Sequence, residues 1–170
     1  MEQHSYFNRI YEETQQDILR YIVIKTNRAN DVEDIFQEVY RSFYERLRRH
    51  GNGDIQDAKR YLITIAKKEL SRFYQRKTVK AEKECAYDDA VLEESEPLDD
   101  HFFTAEMMKR VWKIVRQEPL LSYKAFTLYY GFSMRISNIA SELGITEAAV
   151  KQRLMRTRNT IRTELKGEQL

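Results

Sequence analysis

Only five glycines and two prolines punctuate the 170 residues. A chain so short of turn-forming residues does not build a β-sandwich, a propeller or a glycine-rich nucleotide cradle. Cysteine is limited to Cys85, which excludes an internal disulfide and fits a reducing cytoplasm. That thiol sits among acids, which disfavours a reactive thiolate. The three histidines, His4, His50 and His101, are far apart and match no metal-ligand spacing. Neither catalysis, nor a metal site, nor a cofactor is expected. No apolar run approaches the roughly 20 residues of a membrane span. The opening residues, MEQHSYFNR, lack the basic and apolar regions of a signal peptide. A cytoplasmic protein without membrane insertion is therefore expected.

Charge and aromatics are plentiful. Charged residues make up 33%, against roughly 25% in typical soluble proteins. The 8 Phe, 11 Tyr and 1 Trp argue against wholesale disorder. The net charge of +2 hides strong segregation. Residues 59–80 hold eight bases and one acid, 82–106 ten acids and one base, and 151–166 six bases and one acid. Two basic blocks flank an acidic one, so two polyanion-binding surfaces are candidates.

Apolar residues recur at helical spacing through most of the chain. A first helix is expected over about 5–26, with Tyr6, Ile10, Tyr11, Ile18, Tyr21 and Ile22 as its stripe. A second spans about 31–49, capped by Asn30 and ended by Gly51-Asn52-Gly53. Its stripe is Val32, Ile35, Phe36, Val39, Phe43 and Leu47; Asp34, Gln37, Glu38, Arg41 and Glu45 lie opposite. A third covers about 57–77, with Leu62, Ile65, Ala66 and Phe73 as its stripe. Glu69 falls on that stripe for no reason the sequence supplies. Residues 80–102 lose the period and read as an acidic tether. Helices are then expected at about 103–116, 120–130, 136–143 and 147–165. The fold class is all-α: a first domain over 1–79, the linker over 80–102, and a second domain over 103–170.

The segment ISNIASELGITEAAVKQRLMRTRNTI, 136–161, has the spacing of a helix-turn-helix. Such a unit needs a small residue where two helices cross, a residue tolerant of positive φ in the turn, and an apolar residue early in the second helix. Ala140, Gly144 and Val150 fall at these places, and Thr146 can cap the second helix. On that helix Val150, Leu154, Thr157, Ile161 and Leu165 form one stripe. Ala148, Lys151, Gln152, Met155 and Arg156 point the other way, as long donors beside a small residue suited to a major groove. Arg153, Arg158 and Arg162 stand at the flanks, where phosphates would lie. Two further stretches carry chemistry. DIFQEVYRSFYERL, 34–47, sets Asp34 and Gln37 one turn apart on a polar face, a pattern that alone fits any solvated helix. RYLITIAKKELSRFYQRK, 60–77, is basic with interleaved Tyr61, Phe73 and Tyr74, a composition suited to unpaired bases.

In order and spacing these segments resemble the extracytoplasmic-function (group IV) sigma factors of bacterial RNA polymerase. The resemblance runs from about Tyr6 to Leu165. The family's Asp-x-x-Gln-Glu helix matches Asp34, Gln37 and Glu38. Its Trp-Leu-x-x-Ile-Ala-Arg-Asn motif is approximated by Tyr61, Leu62, Ile65, Ala66, Lys67 and Lys68. Its Leu-Pro-x-x-x-Arg-x-x-Phe-x-Leu motif is matched at Pro119, Phe126 and Leu128, and AAVKQRLMRTRNTIRTEL resembles its recognition helix. Departures stand at Tyr61 for Trp, Lys68 for Asn, Glu118 for Leu, Tyr123 for Arg, Ser133 for Gly and Asn138 for Glu.

The resemblance implies a dissociable initiation subunit with regions 2 and 4. Asp34, Gln37, Glu38 and Arg41 would dock on the β′ clamp helices of core polymerase, and region 4 would lie near the β flap. Tyr61, Lys67, Lys68, Arg72 and Arg76 would contact the −10 element. Thr146, Ala148, Lys151, Gln152, Met155 and Arg156 would read the −35 element, with Arg153, Arg158 and Arg162 on phosphates. Promoter DNA, core polymerase and an anti-sigma factor would be the partners of a chain that is monomeric when free. A stand-alone one-component helix-turn-helix regulator is the competing expectation; it would bind duplex as a dimer on paired half-sites.

Overall fold

The computed structural model describes residues 2–53, 55–77 and 104–167. The acidic stretch 80–102, with Cys85 and His101, lies outside the described residues, as does the side chain of Arg76. The chain divides into two compact units, Met1–Glu84 and Cys85–Leu170. All regular structure among the described residues is helical. No helix is long and apolar enough to cross a membrane.

The first unit holds α1 (Glu2–Lys25), α2 (Val32–His50) and α3 (Ala58–Lys77), each packed against the other two. The aliphatic residues of the expected stripes build the core, while Tyr6, Tyr11, Tyr21, Phe36 and Phe73 are only half-buried and Leu70 joins from outside the expected α3 stripe. Ile10, Ile18 and Ile22 of α1 meet Ile35, Val39, Phe43 and Leu47 of α2 and Leu62, Ile65, Ala66 and Leu70 of α3, all buried. Burying one such large side chain is worth about 1.5–3 kcal/mol. The α1 stripe is interrupted at Thr14, which is buried too. Its hydroxyl donates to the Ile10 carbonyl and accepts from the Tyr40 phenol 2.8 Å away, so the polar position is satisfied inside the core. Burial pushes the Tyr40 phenol up to about 12.

The start of α2 differs from expectation. Asn30 is exposed; a 3₁₀ turn over Ala29–Asp31 runs straight into the helix, and Asp31 at the junction makes no side-chain cap bond. At the other end Gly51, φ 71°, closes α2 with its N–H on the Leu47 carbonyl at 2.8 Å. Asp57 caps α3, its carboxylate accepting the Arg60 N–H at 2.9 Å.

The second unit holds α4 (Ala105–Val115), α5 (Leu120–Phe126), α6 (Ile136–Leu143) and α7 (Glu147–Gly167), with α4, α5 and α6 all packed on α7. Thr104 caps α4 by accepting the Met107 N–H. The helix expected over 120–130 is α-helical only to Phe126; its backbone then widens into a π turn, Thr127–Gly131. Trp112, Phe126 and Tyr130 form an aromatic row with centroid spacings of 5.9 and 4.5 Å. Glu118, before α5, is tied to α7 by the Thr157 hydroxyl at 3.3 Å.

Candidate protein and nucleic-acid interfaces

The helix-turn-helix forms as its spacing requires. Gly144 adopts φ 68°, ψ 33°, the left-handed region that a β-carbon disfavours. Its N–H and that of Ile145 both bond the Ala140 carbonyl, which ends α6. Thr146 then starts α7, its hydroxyl accepting the Ala149 N–H at 3.1 Å. Ala140 and Val150 are buried at the crossing. Val150, Leu154, Thr157 and Ile161 face the core, while Leu165 is only half-buried.

The opposite face of α7 exposes Ala148 and Lys151, with Gln152 and Arg156 half-buried beside them. Lys151 makes no ion pair among the described residues. Met155 does not belong to that face: it is only 8% exposed. Its wheel angle points outward, but an unbranched thioether can fold back along its own helix and fill an irregular gap. At the flanks Arg153 makes no hydrogen bond among the described residues, and its Nε is buried. Arg158 reaches the Tyr130 hydroxyl at 3.5 Å. Arg162 is half-buried. Tyr123, where the family motif has Arg, is buried, and burial raises its phenol above the ordinary value.

In the first unit Asp34 and Gln37 are exposed, one turn apart on α2, and neither makes a hydrogen bond or ion pair among the described residues. Glu38 and Arg41, the next turn, pair with each other at 3.1 Å. The result is a solvated polar face with two unengaged groups beside an ion pair.

On α3, Tyr61, Lys68 and Arg72 fall on one side at seven- and four-residue spacing. Lys67 stands about 100° round the helix from Lys68. Lys67 and Lys68 are exposed and unpaired among the described residues. Tyr61 is half-buried, its ring 6.3 Å from that of Phe43. Tyr74 serves the fold: its phenol donates to Thr26 and accepts the Asn27 N–H, both at 2.8 Å, fastening α3 to the α1–α2 connection.

The position that the sequence left unexplained is answered here. Glu69 is buried between α2 and α3. Its Oε1 accepts from the Ser42 hydroxyl at 3.3 Å and from the Arg72 guanidinium at 3.2 Å. It lines a cleft of 260 Å³ whose other walls include Asp34, Gln37, Glu38, Arg41 and Arg72. The cleft joins the polar face of α2 to the basic face of α3, a connection that separate stripes could not reveal. A carboxylate on an apolar stripe was its only sequence signal. Among the described residues no cluster of His, Cys, Asp and Glu is placed to hold a metal ion.

Two family models match the chain in this order: Sigma-70 region 2 over residues 10–79, and Sigma-70, region 4 over residues 123–161. No curated protein sequence matches it significantly. Among solved structures it is similar to the sigma factor RpoE in complex with the anti-sigma factor NepR from Bartonella quintana. That likeness has 16% identity and a TM-score of 0.46, and covers 94% of this chain and 96% of that one.

Proposed function

The chain belongs to the Sigma-70 family as an extracytoplasmic-function sigma factor with regions 2 and 4, and from that premise we propose which of its residues do the work. As a sigma factor it is an initiation subunit, not an enzyme. It binds core RNA polymerase and directs promoter-specific transcription, region 4 reading the −35 element and region 2 the −10 element.

Core polymerase docks on Asp34, Gln37, Glu38 and Arg41. The support is the exposure of Asp34, Gln37 and Arg41 on one face of α2, with Glu38 half-buried among them, and the absence of a partner for Asp34 and Gln37 among the described residues. The surfaces they meet are the β′ clamp helices, with region 4 near the β flap. In region 4 the α7 face of Ala148, Lys151, Gln152 and Arg156 enters the major groove at −35. Thr146 sits at the helix start, and Arg153, Arg158 and Arg162 lie on the backbone. Met155 drops out of this set because it is buried. In region 2 Tyr61, Lys67, Lys68, Arg72 and Arg76 hold the −10 strand, aromatic surface for unstacked bases and cations for phosphates. The protein works in the cytoplasm, is monomeric when free, and is held off polymerase by an anti-sigma factor, the kind of partner bound in the similar RpoE structure.

One observation carries the reading: a helix-turn-helix closed by left-handed Gly144 follows, in the same chain, a three-helix unit whose α2 exposes Asp34 and Gln37 without a partner among the described residues. A one-component regulator is not favoured, since the lobe it would use as a sensor is the Sigma-70 region 2 match. The test is core binding by Asp34→Ala/Gln37→Ala. The fold should persist, because both residues are exposed, while affinity for core polymerase collapses. Wild-type affinity in the double variant would refute the docking face.

A further inference from the structure

Burying a carboxylate is unfavourable unless its hydrogen-bonding capacity is met. The Glu69 side chain is only 7% exposed, and both of its hydrogen bonds fall on Oε1. Oε2 makes none among the described residues, but it is not sealed from solvent, since Glu69 lines the open cleft. A leucine would continue the Leu62, Ile65, Ala66 stripe without this penalty. The pair with Arg72 does not supply a stability reason either, because that guanidinium is 51% exposed and such pairs add little. What Glu69 does achieve is geometric. Arg72 is a long side chain on the DNA-facing side of α3, and a rotamer-rich cation loses freedom when it must be held on a ligand. An anchor sunk in the protein holds it beforehand. The anchor itself is positioned from α2 by Ser42, within the same cleft that Asp34, Gln37 and Glu38 line.

We propose that Glu69 is a positioning residue for promoter binding: from the floor of the α2–α3 cleft it fixes Arg72 for its contact with the −10 element. This rests on the assignment of Arg72 to −10 DNA. It makes one buried carboxylate the link between the polymerase-facing helix and the promoter-facing helix. The link depends on the Glu-x-x-Arg spacing on α3.

The test is a double-mutant cycle read as promoter affinity. Core polymerase is kept saturating, so that differences in holoenzyme assembly drop out, and the promoter is one selected by the wild-type holoenzyme. Glu69→Gln keeps the shape and an acceptor for Ser42 but removes the charge. Arg72→Ala should weaken the promoter complex several-fold. Glu69→Gln should weaken it by roughly three- to tenfold, the range of one ordinary net hydrogen bond, as suits a half-exposed guanidinium. The double variant should be no weaker than Arg72→Ala alone. Glu69→Leu should melt no lower than wild type yet show the same promoter defect, which separates positioning from folding. Full promoter affinity in Glu69→Gln, or losses that multiply in the double variant, overturns the proposal. Full affinity in Arg72→Ala alone overturns the −10 assignment beneath it, and with it the proposal.

Discussion

Two residues of region 4 hold left-handed backbone, and they lead to opposite expectations. Gly144 has φ 68° and Ser133 has φ 51°. A β-carbon in this region costs about 1–2 kcal/mol. Around Gly144 nothing lies within 4 Å of where a β-carbon would sit, so Gly144→Ala adds backbone strain without a clash. Alanine also restricts the unfolded chain, which returns about 0.4–1 kcal/mol. The net loss is then about 1 kcal/mol. Ser133→Gly runs the balance backwards and should gain about 1 kcal/mol by the same two terms. Trp112 is the chain's only tryptophan and packs against Phe126. Its fluorescence therefore reports unfolding of region 4 within the full chain. With an m-value of about 2 kcal/mol/M in urea, the midpoint should fall by roughly 0.5 M for Gly144→Ala and rise by roughly 0.5 M for Ser133→Gly. A neutral Gly144→Ala, or a destabilised Ser133→Gly, would mean that the turn is not held in the left-handed region and that the helix-turn-helix geometry is wrong.

Met155→Ala should lower the Trp112-monitored stability by about 2 kcal/mol, the low end for a buried methionine, without relaxing base preference at any −35 position; a loss confined to one base position would return it to the reading face. Lys151→Ala should remove about 1–3 kcal/mol of discrimination at one −35 base pair, seen by selecting promoters with the variant holoenzyme, whereas Arg153→Ala should weaken all sequences alike and flatten the salt dependence. The Tyr40 phenol, raised to about 12 by burial from an ordinary value of about 10, stabilises region 2 fully below pH 10. That contribution is lost as pH climbs from 10 to 12, because the unfolded chain gives up the proton first. Tyr40→Phe should remove this part of the alkaline decline in circular-dichroism melts, and an unchanged decline would show that Tyr40 is not its source.

The helices were legible because their buried faces are apolar at helical spacing, from Ile35 to Leu47 on α2 and Val150 to Ile161 on α7. The turn chemistry at Gly51, Gly144 and Thr146 was legible because few residue types tolerate those backbone and capping roles. What escaped depends on partners far along the chain. Thr14 is core because Tyr40, 26 residues on, answers its hydroxyl. Tyr74 serves the α1–α2 connection instead of standing open to DNA. Glu69 makes sense only once Ser42 is brought beside it. The π turn after Phe126 leaves no local signature, and neither does the 3₁₀ turn that displaced Asn30 as a cap. Met155 shows the limit of wheel angles for a side chain with free torsions.

Run-off transcription with purified core and a random promoter library tests whether this chain confers promoter choice on core polymerase. The chain should enrich templates sharing two short blocks at fixed spacing. Enrichment should disappear with Asp34→Ala/Gln37→Ala, and Lys151→Ala should alter only the upstream block. Transcripts no different from those of core alone, or the same templates bound equally well by the chain without core, would contradict that role.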